Sequence, residues 1–362
     1  MPAEDDARAL AEGLGDYLRR DYPEPGPKTA AADAGLWEHL AAIGALGLTV
    51  ATEYGGEGAT PVETYYLAET LGRHLVTAPY LTALVCGRIL AAAGDPGAAA
   101  RAELFAGRQL VGLAHGEGSA DHPDAPVGTT ATRTTGVGWR LSGSKCVVMD
   151  GGAADLFVVS ARPAAAGPLL FLVPRSAEGL SLQPYPTIDG RGAVDLHLDE
   201  VRVPEQALLG GVPELLGPAY DEVTAASCAE AVGVIGTVLD ATVEHVRTRR
   251  QFGAPLGSLQ VVRHRLVELL LLQEQSRSLA LRAARELAAG APTAARTVAA
   301  AKVKCNEAAA FAGRESVQLH GGLGMTDELP LSNFVKRLLV IQRSFGETRH
   351  HLARLSNSEE AQ

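Results

Sequence analysis

Residues 318–331 read QLHGGLGMTDELPL, a polar stretch with paired glycines between two long helical patterns. It holds no lysine of the kind that a phosphate-binding loop uses, and it lacks the spacing of a dinucleotide-binding loop. Adjacent glycines let a backbone turn sharply and approach another molecule where a Cβ would intrude. The stretch is therefore either a glycine-capped corner between helices or a corner that binds a ligand.

A second polar stretch, RTRRQFGAPLGSLQ at residues 247–260, joins the first two helical patterns of the C-terminal part. As a structural element it is a basic helix end that opposes the helix dipole and stops at Gly253. As a functional element, Arg249 and Arg250 beside turn amides suit a pyrophosphate, and the ring of Phe252 offers a face to an adenine. Both interpretations stay open from the residues alone.

Three segments surround these stretches. Apolar residues recur at three- and four-residue spacing up to about Ala106, as in TPVETYYLAETLGRHL, where Thr60, Pro61 and Glu63 form a helix-start signal. From Leu110 to about Gly217 the period is two, in short runs separated by Gly, Pro and Asp.

Helical patterns then return from about Pro218 and continue as four long stretches, the last being LPLSNFVKRLLVIQRSFGETRHHLARL. We therefore predict a mainly α fold with a central β-domain. Its parts are an N-terminal helical domain (1–109), a middle β-domain (110–217) that forms a small antiparallel barrel or sandwich, and a C-terminal four-helix bundle (218–362).

Composition limits the function. The 362 residues carry a net charge of -10, which argues against nucleic-acid binding and against anionic membranes. No run of about 18 uninterrupted apolar residues occurs, and the acidic N-terminus is unlike a secretory signal, so we predict a cytoplasmic protein without a membrane span. The cysteines are scattered and have no CxxC pair, which predicts reduced thiols and no metal site: Cys86, Cys146, Cys228 and Cys305.

Taken together, the two polar stretches resemble the acyl-CoA dehydrogenase superfamily. Residues 249–260 are similar to its R-x-x-F-G-x-P-x-x-x-x-Q signature, and residues 318–328 to its Q-x-x-G-G-x-G-x-x-x-E signature. The order of helices, β-domain and helices matches that family over essentially the whole chain. The resemblance implies the acyl-CoA dehydrogenase fold, an FAD cofactor, and α,β-dehydrogenation of an acyl-CoA thioester in lipid metabolism.

The resemblance also implies which residues bind FAD. In the family, the Gly-Gly corner meets the flavin cofactor of a neighbouring subunit, while the other signature contacts its pyrophosphate and adenine. Carried over, the cofactor-binding residues are Arg249, Phe252, Gln260, Gln318, Gly321 and Gly322. A site divided in this way implies a dimer or a dimer of dimers.

The middle segment resembles the family in outline and departs from it at the flavin wall. GWRLSGSKCVVMDG is similar to the family's G-x-x-L-x-G-x-K strand pair, but Val147 and Met149 stand where Trp and Thr contact the flavin. The family's T-E-P-x-x-G-S-D stretch appears only as LAHGEGSADHPDAP. His115 and Ser119 are candidates to replace its contacts, and a surface turn is the alternative.

The catalytic base departs from the family as well. The family's Y-E-G-T stretch appears as FGET, with Gly346 in the place of the glutamate, so Glu347, one residue later, is the candidate catalytic residue. The alternative is an exposed Glu347 paired with Arg349 or His351. Some family members place the base near the position of Val223; the neighbouring Glu222 and Glu230 do not align with it, and we predict structural or exposed roles for both.

Three functional hypotheses follow. The first is an acyl-CoA dehydrogenase, in which a carboxylate removes the α-proton as the β-hydride passes to flavin and electrons leave through an electron-transfer flavoprotein. The pattern resembles the small subunits of pimeloyl-CoA or steroid side-chain enzymes, which implies a homo-oligomer or a heterotetramer with a second acyl-CoA dehydrogenase subunit. The alternatives are a flavin oxidase or monooxygenase acting on a non-CoA substrate and a non-catalytic assembly subunit.

Overall fold

The fold is given by a computed structural model, which describes residues 2–22, 30–118, 122–134, 138–251, 253–325 and 329–360. The chain forms two compact units. One comprises Met1–Lys28, Thr60–Thr77 and Thr224–Gln362, and the other comprises Thr29–Ala59 and Ala78–Val223.

Helices dominate both ends of the chain, as the three-to-four-residue periodicity predicts. In the described residues they are α1 (Pro2–Asp21), α2 (Ala30–Ala42), α3 (Pro61–Arg73), α4 (Tyr80–Ala92), α5 (Ala98–Phe105), α6 (Val212–Thr248), α7 (Gln260–Ala288), α8 (Ala294–His320), α9 (Leu331–Ile341) and α10 (Thr348–Glu360). The start of α3 confirms the predicted capping box, with Thr60 and Glu63 each capping the other's backbone.

Close helix packing builds the first unit. Helix α3 approaches α6 so tightly that a Cβ on Gly72 would lie 2.2 Å from the carbonyl oxygen of Glu230, and one on Gly233 would lie 2.1 Å from that of Glu69. Only glycine fits at such crossings. A buried bidentate ion pair joins α9 to α6, with Arg337 nitrogens 2.7 and 2.8 Å from the Glu230 carboxylate.

The bundle differs from the prediction at two helix ends. The stretch 329–355, predicted as one long helix, is two helices, because Phe345 and Gly346 adopt left-handed φ values of 55° and 87° between α9 and α10. Helix α6 begins at Val212, before the predicted start at Pro218. Pro218 therefore lies inside α6, where it removes one backbone hydrogen bond and the helix continues past it.

The second unit contains the β-domain. Its strands are β1 (Val111–Ala114), β2 (Thr130–Thr134), β3 (Gly138–Met149), β4 (Leu156–Pro163), β5 (Leu169–Pro174), β6 (Leu180–Pro186), β7 (Gly192–Val203) and β8 (Leu208–Gly211). They pair in the order β6-β7-β3-β2-β4-β5-β8, and β1 also pairs with β4.

Pairing in this sheet is mixed. The long antiparallel pair of β3 and β7 is interrupted by register shifts, one of them between Lys145 and Val148. Strand β4 runs parallel to both β1 and β2, so the expectation of a purely antiparallel sheet is wrong for these two pairs. Apolar side chains of β3, β4, β5 and β7 fill the core, where the rings of Trp139 and Phe171 meet edge to face at 5.3 Å.

Helix α6 corrects the expectation that nothing in the chain reaches bilayer length. It is long and apolar enough to span a membrane by length and composition, but 94% of its apolar window is buried inside the protein. Burial of that kind is typical of a core helix. The domain bounds 1–109, 110–217 and 218–362 stay a prediction.

Candidate cofactor site

The helix ends that lead into the two signature stretches meet in the folded chain. His245, in the last turn of α6, stacks on His320, the last residue of α8, with ring centroids 4.1 Å apart and planes 28° from parallel. The Arg249 corner follows α6 and the Gly321–Gly322 corner follows α8. Residues more than 70 positions apart in sequence thus lie side by side at these helix ends.

The Arg249 corner is a tight hairpin. The Arg249 amide donates to the His245 carbonyl at 2.8 Å, and its carbonyl accepts from Leu256 at 2.9 Å. Two short strands, β9 (Arg250–Gln251) and β10 (Ala254–Pro255), pair across Gly253, whose φ is 80°. The Arg249 side chain is exposed and has no ion-pair partner in the part of the chain that the structure describes. Phe252 lies outside the described residues.

Its fixed backbone and free guanidinium suit Arg249 to bind an anion from outside the chain. Arg250 differs, because its guanidinium turns back toward the Gly253 carbonyl at 3.4 Å. Arg247, nearby on α6, pairs with Glu244 at 2.8 Å. Of these three arginines, only Arg249 has a guanidinium without a hydrogen-bond or ion-pair partner among the described residues.

Gly321 and Gly322 are both exposed, and a Cβ built on either meets no described atom within 4 Å. Gly321 ends α8 with φ 66° and ψ -145°, a conformation that other residues rarely adopt. Gly322 has no left-handed φ, and a Cβ built there meets no described atom within 4 Å. Nothing in the described chain therefore requires glycine at 322, and contact with another molecule would supply the reason. Gln318 is exposed one turn earlier on α8.

Gln260 begins α7 and is exposed. Val267 and Leu271 lie about two and three turns later on the same helix face, and both are more than half exposed. An exposed aliphatic stripe of this kind is typical of a surface that another subunit covers. Gln260 thus lies at the end of an apolar face rather than inside the chain.

In the β-domain, a buried polar network lies beneath the predicted flavin wall. Lys145 is fully buried, and its Nζ is 2.5 Å from the Glu117 carboxylate and 2.8 Å from Ser160 Oγ. Glu117 also accepts from the backbone amides of Gly128 and Thr129 at 2.6 and 3.0 Å. These bonds tie the loop after β1 to β3, β4 and the segment before β2.

In this network, Lys145 and Glu117 each stabilise the charged form of the other. Burial favours the neutral form of Glu117, but hydrogen bonds from Lys145 and Thr129 lower its pKa to about 2. Burial lowers the pKa of Lys145, and Glu117 opposes that shift. Removing Glu117 would leave the fully buried charge of Lys145 without its partner, which typically costs about 3–5 kcal/mol.

His115 belongs to the same network and does not face solvent. It is 2% exposed, with Nδ1 3.0 Å from Ser160 Oγ and Nε2 2.9 Å from the His122 carbonyl. Both ring nitrogens are occupied, so His115 supports the loop from within. Ser119, the other proposed replacement at the flavin wall, lies outside the described residues.

His115 gives the protein an acid-sensitive element. Burial lowers its pKa from 6.5 to about 4, so as pH falls through this window the unfolded chain binds a proton that the folded chain does not. We expect the wild type to lose roughly 3 kcal/mol of unfolding free energy across it, and His115→Gln to lose correspondingly less. Urea unfolding in a pH series measures this. Burial also lowers the pKa of His351, to about 3, but His351 is present in both proteins and affects both profiles equally. Parallel pH profiles for the two proteins would therefore contradict the assignment to His115.

The bulge after Lys145 presents Val147 outward. Val147 has φ 53°, rare for a β-branched residue, and its amide donates to Asp195 Oδ1 at 2.9 Å. Its side chain is 52% exposed, while Met149 is half-buried. The amide of Cys146 donates to the Gly116 carbonyl at 2.9 Å, so the bulge and the loop after β1 form one wall.

The sequence matches three domain descriptions of one family: the acyl-CoA dehydrogenase N-terminal domain at residues 4–101, the middle domain at 117–201 and the C-terminal domain at 223–358. The chain belongs to the acyl-CoA dehydrogenase family.

Individual relatives agree. The Mycobacterium leprae protein fadE25, named "Probable acyl-CoA dehydrogenase", is 28% identical over 84% of this chain and 82% of its own length. A solved steroid ACAD, Tcur3481-Tcur3483, is 29% identical with a TM-score of 0.83, covering 99% of this chain and 98% of that one. The ChsE4-ChsE5 complex from Mycobacterium tuberculosis shares the fold at 24% identity, with a TM-score of 0.86 and coverage of 100% and 98%.

Membership of this family confirms three predictions: the fold, the FAD cofactor and the acyl-CoA dehydrogenase activity. The order of helical, β and helical parts is that of the three matched domains. The assignment of individual site residues stays a prediction.

As an acyl-CoA dehydrogenase the chain needs a base, and Glu347 occupies an exposed position. It lies at the start of α10, just after the left-handed pair Phe345 and Gly346. Its carboxylate pairs with Arg343, rather than with Arg349 or His351, and both partners are largely exposed. Such a surface pair contributes little energy, so release of the carboxylate costs little.

The other two carboxylates near the alternative base position are buried and paired, in line with the structural roles predicted for them. Glu222 contacts Arg88 Nε at 2.9 Å and accepts from Thr49, and burial raises its pKa. Glu230 forms the bidentate pair with Arg337. Val223 itself is fully buried.

Sequence reasoning missed two features of this site. The His245–His320 contact carries no signal in either signature alone, because stacking depends on where two distant helix ends meet. The burial of Lys145 could have been predicted from the sequence. In the period-two pattern of β3, Lys145 lies on the same face as the apolar residues Trp139 and Leu141.

Proposed function

We propose that this chain is a cytoplasmic acyl-CoA dehydrogenase subunit whose FAD site is completed across an interface with a second subunit. The observation that carries the proposal is Gly322. Its glycine has no conformational or packing reason among the described residues, yet it stands in the corner where the family meets the cofactor. A backbone that must lie against a ligand from a neighbouring subunit supplies that reason.

Residues of the two corners would bind different parts of FAD. Arg249 would bind the pyrophosphate through a charge-assisted contact, and Phe252 would face the adenine. Gln318 and Gln260 would supply polar contacts at the two ends. Both corners belong to one chain and adjoin through the histidine stack, which supports their acting on one cofactor molecule.

The β-domain would supply the wall for the flavin ring. The bulge at Val147 and the loop that Lys145 and Glu117 hold from beneath form a rigid surface joined by the Cys146 amide. Fixed backbone groups of this kind can meet a flat ring without reorganising. Val147 and Met149, in the places of the family's Trp and Thr, would make this wall apolar.

When bound, FAD accepts the β-hydride of the acyl thioester. The chain's own contribution to the reaction is removal of the α-proton, for which Glu347 is the candidate. Glu347 must leave Arg343 and become desolvated beside the thioester, which raises the pKa of a carboxylate toward working pH. Electrons would then leave through an electron-transfer flavoprotein.

The apolar face of α7 supports assembly with a second subunit. Val267, Leu270 and Leu271 are large, exposed and continuous with the exposed Gln260. We propose that a second acyl-CoA dehydrogenase subunit covers this face, either a copy of this chain or a longer relative. A heterotetramer with the longer relative is the alternative suggested by the departures at residues 113–126 and 345–348, and in it the relative's own base would replace Glu347.

Arg249→Ala is expected to weaken FAD binding by roughly 1.5–3 kcal/mol, because it removes a charged donor to phosphate. This corresponds to a dissociation constant about ten- to 150-fold higher. Retention of flavin after dialysis measures the loss. Arg247→Ala is the matched control, since that exposed arginine is already paired with Glu244. Equal flavin content in both variants would leave Arg249 as a helix-end charge.

The proposed function is tested by adding acyl-CoA to the flavin-loaded protein without oxygen. Loss of the visible absorbance of oxidised flavin is the expected result. A protein that carries no flavin, alone or with its partner, would instead support the non-catalytic assembly subunit.

A further inference from the structure

The rings of His245 and His320 stack on each other where the two cofactor corners adjoin. His245 precedes Arg249 by one helical turn, and the Arg249 amide is hydrogen-bonded to the His245 carbonyl. His320 immediately precedes Gly321 and, as a neutral ring, donates from Nδ1 to the Ser316 carbonyl at 2.9 Å. The His320 ring is therefore fixed to α8, whereas it is the backbone of His245 that is bonded to the Arg249 corner.

The stack has space beside it. Both rings line a pocket of about 470 Å³ whose other walls are mainly carbon, including Tyr22, Leu331 and Phe334. The two rings therefore border open space on one side. The contact is therefore a joint between two helix ends rather than part of the packed interior.

The charge of the two rings affects how strongly they stack. One protonated imidazole can stack on a neutral one, but two imidazolium rings about 4 Å apart repel each other. Among the described residues, the charged and titratable groups that line this pocket or act on His245 are Glu244 on α6, Arg249 just after it, Tyr22, and Arg73 and His74 at the end of α3. Burial, His320 and Arg249 together lower the pKa of His245, so these surroundings disfavour a second proton.

We propose that the His245–His320 stack is a positioning device for the cofactor: it holds the Arg249 corner and the Gly321–Gly322 corner of one chain at a fixed separation, and it opens when both rings are protonated. The proposal rests on the proposed FAD site. His245 lies before its signature and His320 occupies an unspecified position of the other, so neither residue is one that a signature specifies.

The test is the FAD affinity of five forms of the protein: wild type, His245→Ala, His320→Ala, the double alanine variant, and His320→Phe, which keeps a ring without a titratable nitrogen. Each alanine variant should raise the dissociation constant about threefold to tenfold, the range expected for losing one aromatic pair. The double variant should be no weaker than either single variant, because the stack is already lost. His320→Phe should bind like the wild type at neutral pH.

The pH profile separates positioning from simple structure. Below the usual pKa of histidine, about 6.5, the wild type should lose FAD affinity progressively, while His320→Phe should lose markedly less. Additive effects of the two alanine substitutions, or a phenylalanine variant as weak as the alanine one, would overturn the proposal. Identical acid profiles for the wild type and His320→Phe would overturn its charge-dependent part.

A parallel measurement distinguishes failure of this proposal from failure of the FAD site. Thermal unfolding of the cofactor-free forms yields the same double-mutant cycle without any ligand. If the wild type binds no FAD, the proposed function fails, and the cycle still shows whether the rings are coupled. If the wild type binds FAD and the cycle shows no coupling, the stack alone is refuted.

Discussion

Gly322→Val is expected to abolish FAD binding in a protein that still folds. The Cβ of a residue at this position meets no described atom within 4 Å, and the backbone has no left-handed φ, so the subunit itself tolerates the side chain. A cofactor lying against the glycine would instead meet the new methyl groups directly. The measurements are bound flavin per subunit and the midpoint of thermal unfolding.

Gly13→Val on α1 is the matched control, because a Cβ there also meets nothing within 4 Å and the residue lies outside both corners. It should keep its flavin. If Gly322→Val stays as yellow as the control, the corner is only a connection between helices. If it loses flavin but also unfolds far below the control, the argument from open space is wrong.

Glu347→Gln is expected to slow flavin reduction by acyl-CoA about a hundredfold to ten-thousandfold, the range over which a positioned general base contributes. Bound FAD should be unchanged, because the side chain lies outside both cofactor corners. Its exposed pairing with Arg343 allows the carboxylate to turn toward a substrate. Rapid-mixing kinetics on the complex that shows reduction measures the rate.

Glu307→Gln is the control for this variant, since Glu307 is an exposed glutamate paired with Lys304 on α8. Reduction by Glu347→Gln at the control's rate would place the base on another subunit. That outcome would leave the FAD site intact and would favour the heterotetramer over a homo-oligomer.

The sequence predicted the periodic elements well and failed where structure depends on single residues or distant pairings. The capping box at Thr60 is local, and it formed as predicted. The break between α9 and α10 rests on left-handed torsions at Phe345 and Gly346, which a helical pattern through SFGET does not reveal. The parallel pairing of β1 with β4 joins strands far apart in sequence, and β1 itself is too short to show a period.

The candidate site divides in the same way. The signatures point to Arg249 and Gly322 as ligand-binding residues, and the structure adds a physical reason for each. The guanidinium of Arg249 has no described ion-pair partner, and Gly322 has open space beside it. Resemblance could not show that His115 is enclosed by Ser160 and His122, because its burial depends on strands β1 and β4 meeting. Nor could it show that Glu347 pairs with Arg343.

Anaerobic titration of the flavin-loaded protein with acyl-CoA tests the central claim most directly. The sample is the purified chain, or its complex with a co-purifying relative, shown by light scattering to be at least a dimer. The account predicts that the absorbance of oxidised flavin disappears in proportion to added acyl-CoA, with formation of the α,β-unsaturated thioester. A flavin-loaded protein that is a stable monomer, or one whose flavin stays oxidised with every acyl-CoA and is reduced only by a non-CoA substrate, would contradict it.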